Sequence, residues 1–325
     1  MLDKLFFIKE VEGLLSKSQN ITILTHLNPD ADTLGTGLGI YNLLKKDKSK
    51  KIEIVNASKS LPKYLDFLPS YEKIKHKIDF EDSLIITCDA GSIDRLGFDV
   101  TDREILNIDH HKSNHYYGEV NVVDEMAASA SQVAYALFKQ IYEIDASVAT
   151  CFYAGLLSDT QYFTTNLVDK EVFEIANALV EAGANPSEIA FHFRQRCSLS
   201  ALRILEKALH SLTLYHEAKI AVITITQEDI VETGAIMPDM EGLVDYAKSL
   251  ATVEIAFCVV ELEKGAIRVS LRSKGVDVEQ VASAFGGGGH KVAAGFTLEE
   301  SQLQESIDTI LKKINNLGVL NGKKS

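Results

Sequence analysis

Four short segments in the first half of the chain place carboxylates beside imidazoles, or near one another, at the ends of apolar runs. H-L-N-P-D-A-D carries His26, Asp30 and Asp32; C-D-A carries Asp89; I-D-H-H carries Asp109, His110 and His111; L-L-S-D-T carries Asp159. A single aspartate after a strand is most simply a helix cap or a turn residue. A single histidine on an apolar element is most simply a satisfied core residue. Four such segments at element ends of one domain are not explained that way. Oxygen and imidazole donors without thiolate suit a hard or borderline divalent ion: Mn2+ best, with Mg2+, Co2+ and Fe2+ compatible. These donors exceed what one ion needs while keeping positions open. Two ions about 3.5–4 Å apart, sharing one carboxylate, would use them. Such a pair lowers the pKa of a bridging water and clamps a phosphoryl group for in-line attack, so the residues point to phosphate-ester hydrolysis.

A second set lies near the C-terminal end. S-L-R-S-K supplies Arg272 and Ser273, and F-G-G-G-G-H-K-V-A-A-G-F supplies Gly286, Gly287, Gly288, Gly289 and His290. Glycines let the backbone approach a ligand closely and offer N–H groups to an anion. Arg272 and His290 can add charge-assisted hydrogen bonds. A flexible loop before a strand is the plainer reading of a glycine run alone. With a basic strand just before it, the run favours phosphate binding.

These residues need elements to position them. Ile21–Thr25, Lys51–Asn56, Leu84–Cys88 and Glu104–Ile108 read as strands. Ser129–Tyr142 and Ser147–Leu157 read as buried helices. Strands alternating with helices imply an α/β fold with a parallel sheet and helices on both faces. Ligands of such sheets bind outside the carboxyl ends of the strands, where the acids and histidines fall. After a Leu- and Ala-rich run near 199–212 the pattern restarts. Ala218–Thr226 and a hairpin over Val253–Ser273, turning near Lys264-Gly265, read as strands, and Glu299–Leu317 as an amphipathic closing helix. The expected organisation is a catalytic, metal-binding domain over 1–195, a helical linker over 196–214 and a smaller α/β substrate-binding domain over 215–325, with the active-site cleft between the domains. The tail N-G-K-K-S reads as frayed.

Composition narrows the class. The chain has 325 residues, about two domains' worth. It is 46% hydrophobic and 24% charged, as in ordinary globular proteins. The net charge of −13 argues against a protein that coats long nucleic acid, because such binding relies on Lys and Arg. A small phosphorylated substrate stays compatible if metal ions reverse the local field. The four cysteines, Cys88, Cys151, Cys197 and Cys258, form no CxxC pair, and Cys88 and Cys258 sit in apolar runs. Buried free thiols fit a reducing compartment. No signal-peptide core and no membrane-spanning run of about 18 apolar residues is present, so the expected place is the cytoplasm, with no membrane partner.

The name-giving triplet Asp109-His110-His111, in the context N-I-D-H-H-K-S-N, resembles the DHH phosphoesterase family, and G-G-G-G-H-K-V-A-A-G resembles its DHHA1 domain. The combination, over nearly the whole chain, is similar to the nanoRNase/pAp phosphatase branch. The resemblance implies that His26, Asp30 and Asp89 hold one metal ion. Asp32, Asp89, His110 and Asp159 would hold a second, with Asp89 bridging. His111 would contact the scissile phosphate, and Asp109 would orient a histidine. Arg95, in I-D-R-L-G, matches a position near the substrate in the family, and is equally well read as a surface salt-bridge partner. Arg272, Ser273, Gly286–Gly289 and His290 would grip a terminal phosphate or nucleotide. The implied substrates are short oligonucleotides, linear dinucleotides such as pApA or pGpG, and pAp, cleaved by a homodimer. Two departures stand out: P-D-A-D has Ala31 where the family often has glycine, and D-T-Q has Gln161. Both spare the implied ligands.

Alternatives stay open. A pAp-specific phosphatase would use the same residues. A family II pyrophosphatase has a different C-terminal domain, and a RecJ-type exonuclease usually carries an added nucleic-acid-binding domain. A non-catalytic nucleotide-binding regulator of the same fold should have lost metal donors, and here none of the candidates is missing.

Overall fold

A computed structural model describes residues 4–196, 198–299 and 301–320. Cys197 and the tail N-G-K-K-S lie outside the described residues. The chain divides between residues 196 and 197 into two compact units.

The first unit begins with helix α1 (Lys4–Lys17) and strand β1 (Asn20–Thr25). Helix α2 (Ala31–Leu44), β2 (Lys51–Val55), the short β3 (Ile74–Lys75), β4 (Leu84–Cys88), β5 (Ile105–Asp109) and β6 (Val120–Val123) follow. Helices α3 (Ala130–Phe138), α4 (Ala146–Asp159), α5 (Lys170–Glu181) and α6 (Pro186–Arg194) complete it. The strands are rich in Ile, Leu and Val, and β4 and β5 are buried along their whole length, as strands covered on both faces must be. All pairings are parallel, in the order β3-β2-β1-β4-β5-β6. Chain order reverses between β1 and β4, which makes their carboxyl ends the switch point.

One sheet face joins the α-helices in the main core, where Phe138 and Phe152 are fully buried. Each such side chain contributes about 1.5–3 kcal/mol. The other face is closed by a smaller cluster around Leu24, Val55, Ile85 and Ile105, capped by the 3-10 turn Ile93–Leu96. Helices α2 and α4 cross backbone to backbone. A Cβ on Gly35 would strike the Cys151 carbonyl, and one on Gly155 would strike Ser131 Oγ and Asp32 Oδ1.

The second unit opens with helix α7 (Leu199–Ser211). Strands β7 (Thr213–Tyr215) and β8 (Ile220–Ile225), helices α8 (Gln227–Thr233) and α9 (Leu243–Lys248), and strands β9 (Ile255–Glu261) and β10 (Ile267–Ser273) follow. Helix α10 (Glu279–Ser283), strands β11 (Gly288–His290) and β12 (Ala293–Leu298) and helix α11 (Leu303–Asn316) close it. Its sheet runs β11-β12-β10-β9-β8-β7, with only β8 and β9 parallel. The segment expected as a linker is α7, which buries Ile204 and Ala208 in this unit's core against β8 and β9 residues. The glycine run is a tight turn and an edge strand rather than a loop. Gly286 has φ +77°, and Gly287 backs onto the Gly295 carbonyl and Phe296 with no room for a Cβ. Cys88, Cys151 and Cys258 are buried free thiols. Among the described residues no helix is long and apolar enough to cross a membrane.

Candidate metal centre

The carboxyl ends of β1, β4 and β5 deliver the first three predicted segments to one place, and the C-terminal end of α4 delivers the fourth. His26 follows β1, Asp89 follows β4, Asp109 ends β5 with His110 and His111 behind it, and Asp159 ends α4. Asp30 caps α2, its Oδ1 accepting the backbone N–H of Asp32 and Thr33 at 3.0 Å, while its Oδ2 lies 3.7 Å from His26 Nε2. The capping reading and the ligand reading of this residue are both satisfied. Asp32 is fully buried and accepts the N–H groups of Ala130 at 2.6 Å and Ser131 at 3.0 Å, at the N-terminus of α3.

Among the described residues, three groups of side chains could each hold a divalent ion: His26, Asp30 and Asp89; Asp32, His110 and Asp159; and Asp89, His110 and His111. Asp89 links them. Its Oδ2 is 3.5 Å from His26 Nε2, and its Oδ1 is 3.4 Å from His110 Nε2 and 3.5 Å from His111 Nδ1. His110 Nε2 is 3.3 Å from Asp159 Oδ2. Two donors about 2.1 Å from a common ion lie about 3.0–3.4 Å apart, so the spacing suits ligands better than hydrogen-bond partners. Asp89 Oδ1 is buried and has no hydrogen-bond partner. Such an oxygen is costly unless a cation meets it. Both ligand-type histidines are turned the right way for this: His26 Nδ1 meets the Leu27 carbonyl at 2.8 Å, and His110 Nδ1 meets the Ala127 carbonyl at 3.2 Å. Each Nδ1–H donated to a carbonyl presents Nε2 to an ion. The residues therefore fit a pair of divalent cations.

The electrostatics agree. Burial pulls His26 down, yet the facing carboxylates of Asp30 and Asp89 hold its pKa up at about 10. Burial opposes His110 too, and Asp159 and Asp89 raise it. Burial pushes Asp159 up to about 6 against the bond from His110, and burial raises Asp32 as well. Asp89 resists its own burial, held below the usual carboxylate range by His110 and His26. Crowded acids share protons with the imidazoles, a positive charge that divalent ions would replace.

His111 Nδ1 is 2.7 Å from Asp109 Oδ1, and Asp109 is fully buried. Arg95 sits in the 3-10 turn after β4, where its carbonyl accepts the Leu27 N–H at 2.8 Å. That bond docks the turn against the His26 loop, and the Arg95 side chain is exposed.

In the second unit, strand alternation sorts the predicted residues. Ile267, Val269 and Leu271 of β10 enter the core shared with α10 and α11, so Arg268, Ser270 and Arg272 occupy the other face. Arg272 pairs with Ala293, which pairs with His290, and Ser270 pairs with Gly295, which pairs with Gly288. One face thus carries Arg272, Ser270, Gly288 and His290 over a floor of small residues. Ser273 does not join them. One residue on from Arg272, it faces the opposite side, is buried, and donates its hydroxyl to the Val276 carbonyl at 2.5 Å. Gly287 and Gly289 also fall on that opposite side, where Gly289 leaves no room for a Cβ against the Ala293 carbonyl. Arg268 was missed; the alternation in I-R-V-S-L-R-S carries the signal.

The DHH family, N-terminal domain, matches residues 20–156, and the DHHA1 domain matches residues 217–317. A bifunctional oligoribonuclease and PAP phosphatase NrnA of Thermus thermophilus is 27% identical over 311 residues, covering 94% of this chain and 91% of the relative. The protein of the same name from Bacillus subtilis is 24% identical over 314 residues, covering 94% and 98%. The crystal structure of an exopolyphosphatase-related protein from Bacteroides fragilis shares the fold with a TM-score of 0.88, at 23% identity, covering 96% of this chain and 97% of that one. With one domain match in each compact unit, the chain carries the N-terminal domain of the DHH family and a DHHA1 domain.

Proposed function

We propose that the chain is a metal-dependent phosphoesterase that hydrolyses short oligonucleotides and linear dinucleotides such as pApA and pGpG to mononucleotides, and pAp to AMP. The observation that carries this reading is the buried Asp89 carboxylate shared between imidazole–carboxylate groups, with one oxygen lacking any hydrogen bond. The relatives named for oligoribonuclease and PAP phosphatase activity support the substrate class. His26, Asp30 and Asp89 would hold one ion, and Asp32, Asp89, His110 and Asp159 the other, with Mn2+ the ion the donors suit best. The ions would supply an activated water and neutralise charge on the phosphoryl group. The chain's own residues do the rest. His111, held by Asp109 through Nδ1, presents Nε2 to the non-bridging phosphate oxygens, and Arg95 adds charge at the rim. Arg272, Gly288 and His290 bind a second phosphate or a nucleotide, which selects short substrates. The homodimer rests on the family resemblance alone.

The test is metal-stripped chain reloaded with Mn2+ and offered pApA, a short RNA ladder, pAp and pyrophosphate in parallel. Release of mononucleotides from two- to four-mers establishes the oligonucleotide hydrolase. Cleavage of pAp alone makes the chain a phosphomonoesterase. Pyrophosphate turnover without nucleotide product overturns the reading.

A further inference from the structure

A polar ladder crosses the first sheet from β4 to its edge strand β6. Thr87 of β4, Asn107 of β5 and Asn121 of β6 are register neighbours. Central parallel strands ordinarily bury apolar residues on both faces, so packing does not call for these side chains. Thr87 Oγ1 donates to Asn107 Oδ1 at 3.2 Å. Asn107 Nδ2 donates to Asn121 Oδ1 at 3.1 Å and to Asn114 Oδ1 at 3.0 Å. Asn114 Oδ1 also accepts the Tyr116 backbone N–H at 2.7 Å. Two donors on that oxygen fix the amide in one orientation, so Nδ2 is the atom that donates to Asp109 Oδ2. The other oxygen of Asp109 meets His111 Nδ1. Thr87, Asn107 and Asp109 are fully buried, and Asn114 is 6% exposed.

We propose that Asn114 is a positioning residue for phosphoryl transfer. Its amide locks the rotation of the Asp109 carboxylate, which in turn fixes the ring of His111 against the phosphate. The inference rests on the function proposed above. Asn114 hydrogen-bonds none of the candidate metal ligands through its side chain, so its role separates from ion binding. A local rule of sheet packing is broken where the chemistry needs an aimed side chain, and fully satisfied buried polar networks rigidify what they hold.

Asn114→Asp tests this directly. The variant keeps the shape and the acceptor for Asn107 and Tyr116, and replaces the amide donor by a carboxyl that must share a proton with Asp109, so that carboxylate no longer holds His111 with its full charge. Full-length chain is loaded with Mn2+, and pApA hydrolysis, Mn2+ affinity by calorimetry and the thermal midpoint are measured. Loss of an outer-layer partner costs about 10–100-fold, expected here in kcat, with KM and Mn2+ affinity within about threefold of wild type. Combined with His111→Ala, the two losses overlap instead of multiplying, because both act through one ring. Turnover within about twofold of wild type, a loss that tracks weaker Mn2+ binding, or multiplying losses would each overturn the proposal. Should the added charge prevent folding, Asn114→Ser, neutral and too short to reach Asp109, carries the same expectations. A folded wild-type chain that leaves pApA and pAp intact overturns the functional reading and this inference with it.

Discussion

Asp89 adopts a left-handed backbone, φ 57°, immediately after β4. That conformation costs a side-chain-bearing residue about 1–2 kcal/mol. It sets one carboxylate among His26, His110 and His111, and the cost is accepted at a place where three imidazoles converge. The same neighbours set a pH signature for the metal-free chain. The pKa of His26 is raised to about 10 by Asp30 and Asp89. A raised pKa means that the folded state binds the proton more tightly than the unfolded chain. The stability it contributes is present in full below about pH 6.5 and is lost as pH rises through about 10. The thermal midpoint of EDTA-treated chain should therefore fall between pH 7 and pH 10, and His26→Ala should flatten that slope. Mn2+ reverses the sense, because a ligating imidazole must be unprotonated, so Mn2+ affinity rises with pH over the range where free His26 loses its proton. At this scale the clustering was legible: His26, Asp30, Asp32, Asp89, His110 and Asp159 lie together, as their types suggested. Asn114 was not. It lies five positions beyond Asp109, and only the turn after β5 brings its amide back to that carboxylate.

At the scale of elements, the centre depends on two helices, α2 and α4, that approach closely at glycines. Gly155 lies one turn before Asp159 on α4, and its missing Cβ leaves the space that the Asp32 carboxylate and Ser131 fill. Gly155→Ala should cost about 1–3 kcal/mol through overpacking and displace Asp32. Thermal melts with and without Mn2+ check this: the stabilisation by Mn2+ should shrink in the variant, and an unchanged Mn2+ increment would count against Asp32 as a ligand. In the second unit, alternation along β10 divides two neighbours that looked equivalent in the sequence. Arg272→Ala should raise KM for pApA about tenfold or more, as removal of a charge-assisted phosphate contact does. Ser273→Ala should leave KM unchanged and cost about 0.5–1.5 kcal/mol for the lost bond to the Val276 carbonyl. Equal KM effects would mean that the strand faces are assigned wrongly. The β-rich runs over Ile21–Thr25 and Leu84–Cys88 were legible as strands because every residue there is apolar or β-branched. The strand Gly288–His290 was not, because glycine signals a turn and only pairing with β12 extends it.

At the scale of the molecule, a net charge of −13 and a phosphate substrate pull in opposite directions. On the proposed reading the conflict is met locally: metal ions would act in the first unit and Arg272 and His290 in the second, while a net negative surface disfavours long polyanions. The two-unit organisation was readable from the restart of the strand pattern after residue 212. The place of Leu199–Ser211 was not, because an amphipathic helix reads the same whether it links units or buries Ile204 in one of them. On the proposed reading a single buried carboxylate serves two ions and the hydrolysis of phosphate esters. Wild type and Asp89→Ala are compared for Mn2+ bound per chain and for mononucleotide released from pApA, with circular dichroism to confirm the fold. The expected result is a folded variant that has lost tight Mn2+ binding and turnover together. Substantial turnover by folded Asp89→Ala would contradict it.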